Sequence, residues 1–135
     1  MKFIKTNGGR ARYWSCRLKK DQAGDCVIRA IALATEQDYK LVWDTLFKLA
    51  QPMGFLPNDD KVYGIYLKSL GWTKQKTLKN SKNRKYKVKN FPTEYGKAYI
   101  MNTTCHITTI INKVHYDSWN CGEWCANSYW IKKVN

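Results

Sequence analysis

The chain has 135 residues, 44% of them hydrophobic, which is typical of a single folded domain and argues against a disordered chain. Lys and Arg number 24 against 10 Asp and Glu, so the formal net charge is +14, and this charge favours acidic partners. No run approaches the roughly 18 apolar residues of a membrane span, so no membrane association is expected.

Five scattered cysteines indicate a reducing compartment. Their number is odd and their spacing makes a poor disulfide framework: Cys16, Cys26, Cys105, Cys121 and Cys125. Residues 1–10 contain no apolar stretch of the kind found in a signal peptide. The cytoplasm is therefore the expected location.

Residues 1–24 lack periodicity and contain Gly8 and Gly9, which predicts an irregular or edge segment. Beyond Asp25 the pattern changes abruptly. Residues 26–34 are apolar on nearly every side except at Arg29, which predicts a buried helix with Asp25 as its N-cap.

Two more helices are predicted before the strands begin. One follows Asp38 and ends at Pro52 and Gly54, and the other runs from about residue 59 to residue 70, with Gly71 as its stop. Their expected inner faces carry Leu41, Val42, Leu46 and Leu49 in the first, and Val62, Tyr66 and Leu70 in the second.

From Trp72 onward the sequence favours strands. Residues 99–101, 106–111 and 114–119 are rich in β-branched and aromatic side chains, and Asn112 with Lys113 would form a two-residue turn. The fold class is therefore α+β in one domain spanning residues 1–135. Its helical part would cover about 25–71, and an antiparallel sheet about 72–135.

A basic segment covers residues 74–89. It contains no acidic residue and eight cations: Lys74, Lys76, Lys79, Lys82, Arg84, Lys85, Lys87 and Lys89. With Trp72 and Tyr86 beside them, these cations could hold an anionic partner, either nucleic acid or an acidic protein, through phosphate contacts and stacking. A non-catalytic basic binding protein is thus one interpretation of the chain, and a solvated loop is another.

Cys26 lies where a loop gives way to the buried helix. The N-terminal end of a helix lowers the pKa of a thiol, and it also leaves backbone N–H groups free to stabilise an oxyanion. An ordinary buried cysteine would fit the same position, so a catalytic interpretation requires a base.

The predicted hairpin supplies a candidate base. In its register His106 and Asp117 are diagonal neighbours on one face, about 7–8 Å apart at Cα. A thiol, an imidazole and an orienting carboxylate are the groups that nucleophilic acyl transfer requires. His115 shares the face but lies about 13 Å further along, which makes it the alternative base.

A zinc site is a further alternative. Cys105, His106, Cys121 and Cys125 could supply four ligands, but adjacent residues of a strand point to opposite faces. We therefore expect no metal and no cofactor.

Two stretches resemble the papain-like cysteine proteases. Residues 24–31, Gly-Asp-Cys-Val-Ile-Arg-Ala-Ile, are similar to the Gly-Ser-Cys-Trp-Ala-Phe helix start around the nucleophile. Residues 117–124, Asp-Ser-Trp-Asn-Cys-Gly-Glu-Trp, are similar to the Asn-Ser-Trp-Gly segment that supplies the orienting residue. The resemblance implies a Cys26–His106–Asp117 triad that cleaves a peptide or amide bond.

Supporting roles follow from the same resemblance. Gln22 would be the oxyanion residue, although it precedes the cysteine by four positions where the family has six. Asp25 would support the helix start, and Trp119 would shield the bond between histidine and carboxylate.

Two further resemblances bear on the base and on the origin. Residues 115–118, His-Tyr-Asp-Ser, echo ovarian-tumour-type deubiquitinases, in which alignment His115 would be the base. The segment Gly-Asp-Cys-Val-Ile-Arg-Ala also resembles small bacteriophage and prophage proteins, which implies a host protein as substrate and the host cytoplasm as the place of action.

Overall fold

The apolar run after Asp25 forms helix α1, which spans Cys26–Thr35 in a computed structural model that describes residues 1–14 and 23–133. Seven of its ten residues are buried, Arg29 among them, as an all-round apolar helix requires. Asp25 occupies the N-cap position, but its side chain makes no capping hydrogen bond. That carboxylate instead accepts hydrogen bonds from the Arg29 and Tyr39 side chains.

Two capped helices follow. Helix α2 spans Tyr39–Met53, where Asp38 accepts hydrogen bonds from the first N–H groups, and α3 spans Asp60–Ser69 with Asp59 in the same role. The buried face of α2 consists of Tyr39, Val42, Leu46 and Ala50.

The prediction for α2 was wrong at Leu41, which is 53% exposed. The buried positions recur every three or four residues from Tyr39, and Leu41 lies off that stripe. The helix also continues through Pro52 and ends at Gly54, whose φ of 73° is the left-handed conformation of a C-cap.

Six strands form one sheet. They are β1 (Lys2–Lys5), β2 (Trp72–Gln75), β3 (Ala98–Thr103), β4 (His106–Ile111), β5 (Val114–Asp117) and β6 (Tyr129–Lys132). Their order across the sheet is β1-β5-β4-β3-β6-β2.

The α+β class is confirmed, but the expectation of an antiparallel sheet after the helices was wrong in one respect. The segment at residues 1–24 contributes β1, which pairs in parallel with β5 at the sheet edge, so the sheet is mixed. A strand of four residues is too short for its alternation to be recognised, and only its distant partner orders it.

The β4–β5 hairpin has the predicted register, with Thr109 opposite Tyr116 and Ile110 opposite His115. Asn112 and Lys113 both have positive φ, 50° and 63°, as a two-residue turn of the primed type requires. This register brings the start of β4 beside the end of β5.

The two faces of the sheet pack against different layers. On one face Ile100 and Ile107 join the core of the three helices, and the Thr109 hydroxyl donates to the Ala30 carbonyl of α1 at 2.9 Å. On the other face Met101 and Ile110 pack with Val88, Phe91 and Ala126. Among the helices of the described residues, none is long and apolar enough to cross a bilayer.

Candidate active site

Cys26 is the first residue of α1 and is half-buried, so its thiol is neither sealed in the core nor fully exposed. Burial raises the pKa of this thiol. Hydrogen bonds with the His106 side chain and the Ile107 backbone, together with the charges of His106 and Arg29, outweigh burial and lower the pKa below its ordinary value. These interactions stabilise the thiolate relative to the thiol at this helix start.

His106 begins β4, and its Nε2 lies 2.7 Å from Oδ2 of Asp117 at the end of β5. Since Nε2 is engaged there, Nδ1 remains for the Cys26 thiol. Burial lowers the pKa of His106, but hydrogen bonds to Asp117, Cys121 and Cys26 raise it to about 11. The opposite shifts of the thiol and the imidazole both favour a thiolate–imidazolium pair.

Asp117 is buried and ionised. Burial raises its pKa, yet hydrogen bonds from His106, Thr108 and the Ser118 backbone lower it below the usual range. The Ser118 N–H donates to Oδ1 at 2.7 Å, which leaves Oδ2 for the imidazole. The Trp119 ring lies 4.7 Å from the His106 ring, centroid to centroid, and covers this pair on one side.

A buried network connects the helix start to Asp117. Arg29 donates to Asp25 one turn earlier, and its Nη2 lies 3.5 Å from Oδ1 of Asp117. Asp25 also accepts a 2.6 Å hydrogen bond from the Tyr39 hydroxyl, and Arg10 lies 3.6 Å from its Oδ2. Sequence reasoning assigned no role to Arg29, although a lone charge in an apolar helix was a visible signal.

His115 lies in a different environment from His106. Its Nε2 is 2.8 Å from the Thr108 hydroxyl and 3.5 Å from Sγ of Cys121. The centroids of the His115 and Phe3 rings lie 5.1 Å apart. Burial lowers the pKa of His115, which favours its neutral form. The structure thus brings His106, rather than the alternative His115, to Cys26 and Asp117.

The remaining predicted site residues are spread more widely. Gln22 lies outside the described residues. Cys105 and Cys125 are exposed, whereas Cys121 is fully buried beside Asp117. The four-ligand zinc set that includes Cys105 and Cys125 is not assembled within residues 1–14 and 23–133.

All eight cations of the basic segment are exposed. Lys87 and Lys89 pair with Glu123, and Lys85 donates to Asn127. The expected stacking role of Trp72 was wrong, because this side chain is 3% exposed and belongs to the core.

Comparison of the chain with protein families, with curated proteins and with solved structures finds no match.

Arg29→Met should lower the free energy of unfolding by about 3 kcal/mol, because it leaves two buried carboxylates without their shared cation. Arg84→Met removes the same group from an exposed turn and should cost less than about 0.5 kcal/mol. Urea unfolding followed by circular dichroism measures both. Equal losses in the two variants would show that the Arg29 network contributes no stability.

Iodoacetamide should alkylate Cys26 on the order of tenfold faster than Cys105 at neutral pH, although Cys105 is the more exposed thiol. The lowered pKa of Cys26 increases the fraction of reactive thiolate. Because His106 contributes to that lowering, His106→Ala should make the two alkylation rates similar. Peptide mapping by mass spectrometry after timed quenching measures each rate. Faster labelling of Cys105 in the unaltered protein would contradict the thiolate assignment.

Proposed function

We propose that this protein is a papain-like cysteine hydrolase in which Cys26 is the nucleophile, His106 the general acid–base and Asp117 the orienting carboxylate. The observation that carries the proposal is the double engagement of His106. Its ring bonds to Asp117 at 2.7 Å through Nε2 and interacts with the Cys26 thiol at the start of α1. A thiol, a base and an orienter in series are the arrangement that activates a nucleophile.

Each step of amide cleavage has a residue suited to it. The Cys26 thiolate adds to the carbonyl carbon, and the negative charge moves to the carbonyl oxygen. The first N–H groups of α1 have no partner within the helix and can donate to that oxygen, the Cys26 N–H among them. The His106 imidazolium then gives its proton to the departing amine, which leaves a thioester on Cys26.

Hydrolysis of the thioester reverses the roles. His106, now neutral, takes a proton from water while the hydroxide adds to the acyl carbon, and the carboxylic acid departs as the thiolate is restored. Asp117 keeps the imidazole in one orientation and stabilises its cationic form during both steps. Trp119 limits the access of water to their hydrogen bond, which strengthens it.

The substrate class that fits is a peptide or isopeptide bond in a protein. The resemblance to phage proteins favours a host protein as the target. The exposed cations of the basic segment favour an acidic substrate surface, since opposite charges speed association.

Cleavage of a library of fluorogenic peptidyl amides should depend on the triad. Cys26→Ala should abolish turnover, and His106→Ala should lower kcat/KM by about 10²–10⁴-fold, because the proton then has no carrier. Asp117→Asn should reduce kcat with little change in KM, since it acts through His106.

Cys105→Ser is the matched control, because it removes an exposed thiol outside the site and should retain full activity. Cleavage that survives Cys26→Ala, or its complete absence across the library and in a proteome-wide cleavage assay, would reject the hydrolase proposal.

A second candidate function is the binding of single-stranded nucleic acid. It is favoured by the eight exposed cations within residues 74–89. Among the described residues, Glu123 pairs with Lys87 and Lys89 and not with Lys79, Lys82 or Arg84, so these three charges are available to phosphates.

Neutralising Lys79, Lys82 and Arg84 to Gln should weaken oligonucleotide binding and flatten its salt dependence by about one logarithmic unit of slope per lost contact. Fluorescence anisotropy at several salt concentrations measures both quantities. Lys48→Gln with Lys68→Gln removes exposed charge from α2 and α3 and is the control. If both sets of variants lose affinity equally, the attraction is diffuse and the segment is no binding site.

A further inference from the structure

Cys121 is a fully buried thiol that the proposed mechanism does not use. It lies in the loop that follows β5, with its Sγ 3.7 Å from Oδ2 of Asp117 and 3.5 Å from Nε2 of His115. One ligand atom each from His106, Asp117 and Cys121 lie within 4.8 Å of one another. A nitrogen, an oxygen and a sulfur donor therefore converge at one point beside Cys26.

This donor set suits zinc. Tetrahedral zinc with bonds of about 2.0–2.3 Å holds its ligand atoms about 3.3–3.6 Å apart. The 3.7 Å between Cys121 and Asp117 is close to that separation, whereas the 2.7 Å between His106 and Asp117 is the length of a direct hydrogen bond. The gap between His106 and Asp117 would have to widen by roughly half an ångström for the metal to replace the shared proton.

We propose that His106, Asp117 and Cys121 form a Zn²⁺ site with three protein ligands. Binding releases the thiol proton of Cys121 and the Nε2 proton of His106 to solvent, and no group changes its oxidation state. Imidazole and thiolate select zinc over the hard cations Mg²⁺ and Ca²⁺. The Cys105 and Cys125 thiols, which are exposed, take no part.

Zinc at this position excludes the proposed catalysis. Zinc bound at Nε2 takes the Asp117 carboxylate away from the imidazole and prevents His106 from cycling between its neutral and cationic forms, so Zn²⁺ would be an inhibitor of the hydrolase. The metal site itself does not depend on hydrolytic activity, because its ligands converge whether or not Cys26 reacts.

Titration of the full-length, metal-free protein with Co²⁺ and Zn²⁺ tests the proposal. Co²⁺ should give thiolate-to-metal charge-transfer absorption at one equivalent, and Zn²⁺ should displace it. Cys121→Ser should abolish the absorption and weaken Zn²⁺ binding by more than about 100-fold, measured by competition with a chromophoric chelator. The double variant Cys105→Ser, Cys125→Ser should bind both metals as the unaltered protein does.

His106→Gln is a second test that keeps the buried thiol in place. This variant should weaken Zn²⁺ binding by at least tenfold. The result remains informative even if Cys121→Ser fails to fold. Charge transfer that persists in Cys121→Ser, or that disappears in the double variant, would overturn the site. An active hydrolase that binds no zinc rejects the metal site alone, whereas a zinc-binding protein without amidase activity rejects the hydrolase alone.

Discussion

The contact on which the candidate site depends is the buried Arg29 between two carboxylates. It lies one turn into α1, bonds Asp25 at the helix start and reaches Asp117 at the end of β5. A buried cation is tolerated only where it is paired, so the guanidinium fixes the position of the helix relative to the hairpin. Cys26 belongs to the first element, and His106 and Asp117 belong to the second.

Charge alternates along this network, which explains the shifted pKa values around Cys26. Asp117 stabilises an imidazolium at His106, and the imidazolium stabilises a thiolate at Cys26. Arg29 contributes positive charge to both ends, because it lowers the pKa of the thiol and lies 3.5 Å from Asp117. Burial would oppose each charge singly, but it strengthens their mutual attraction.

Local patterns predicted much of the fold and of the site. The apolar run after Asp25, the hairpin turn at residues 112–113 and the register that aligns His106 with Asp117 all follow from periodicity and turn chemistry. The parallel strand β1 and the approach of Cys121 to Asp117 could not be derived this way. Strand β1 depends on pairing with β5, which lies at the other end of the sequence, and Cys121 reaches Asp117 through an irregular loop whose path no periodic pattern encodes.

The parallel strand at the sheet edge pairs with the strand that carries Asp117. Residues 2–5 pair with residues 114–117, and the Thr6 N–H donates to the Asp117 carbonyl at 2.8 Å. Contacts across so long a stretch of chain form late, because the entropy of closing the intervening loop opposes them. Helix α1 alone does not supply the environment that lowers the pKa of Cys26, because His106 belongs to β4. The chemical environment of this thiol is thus a property of the folded domain and of no single element.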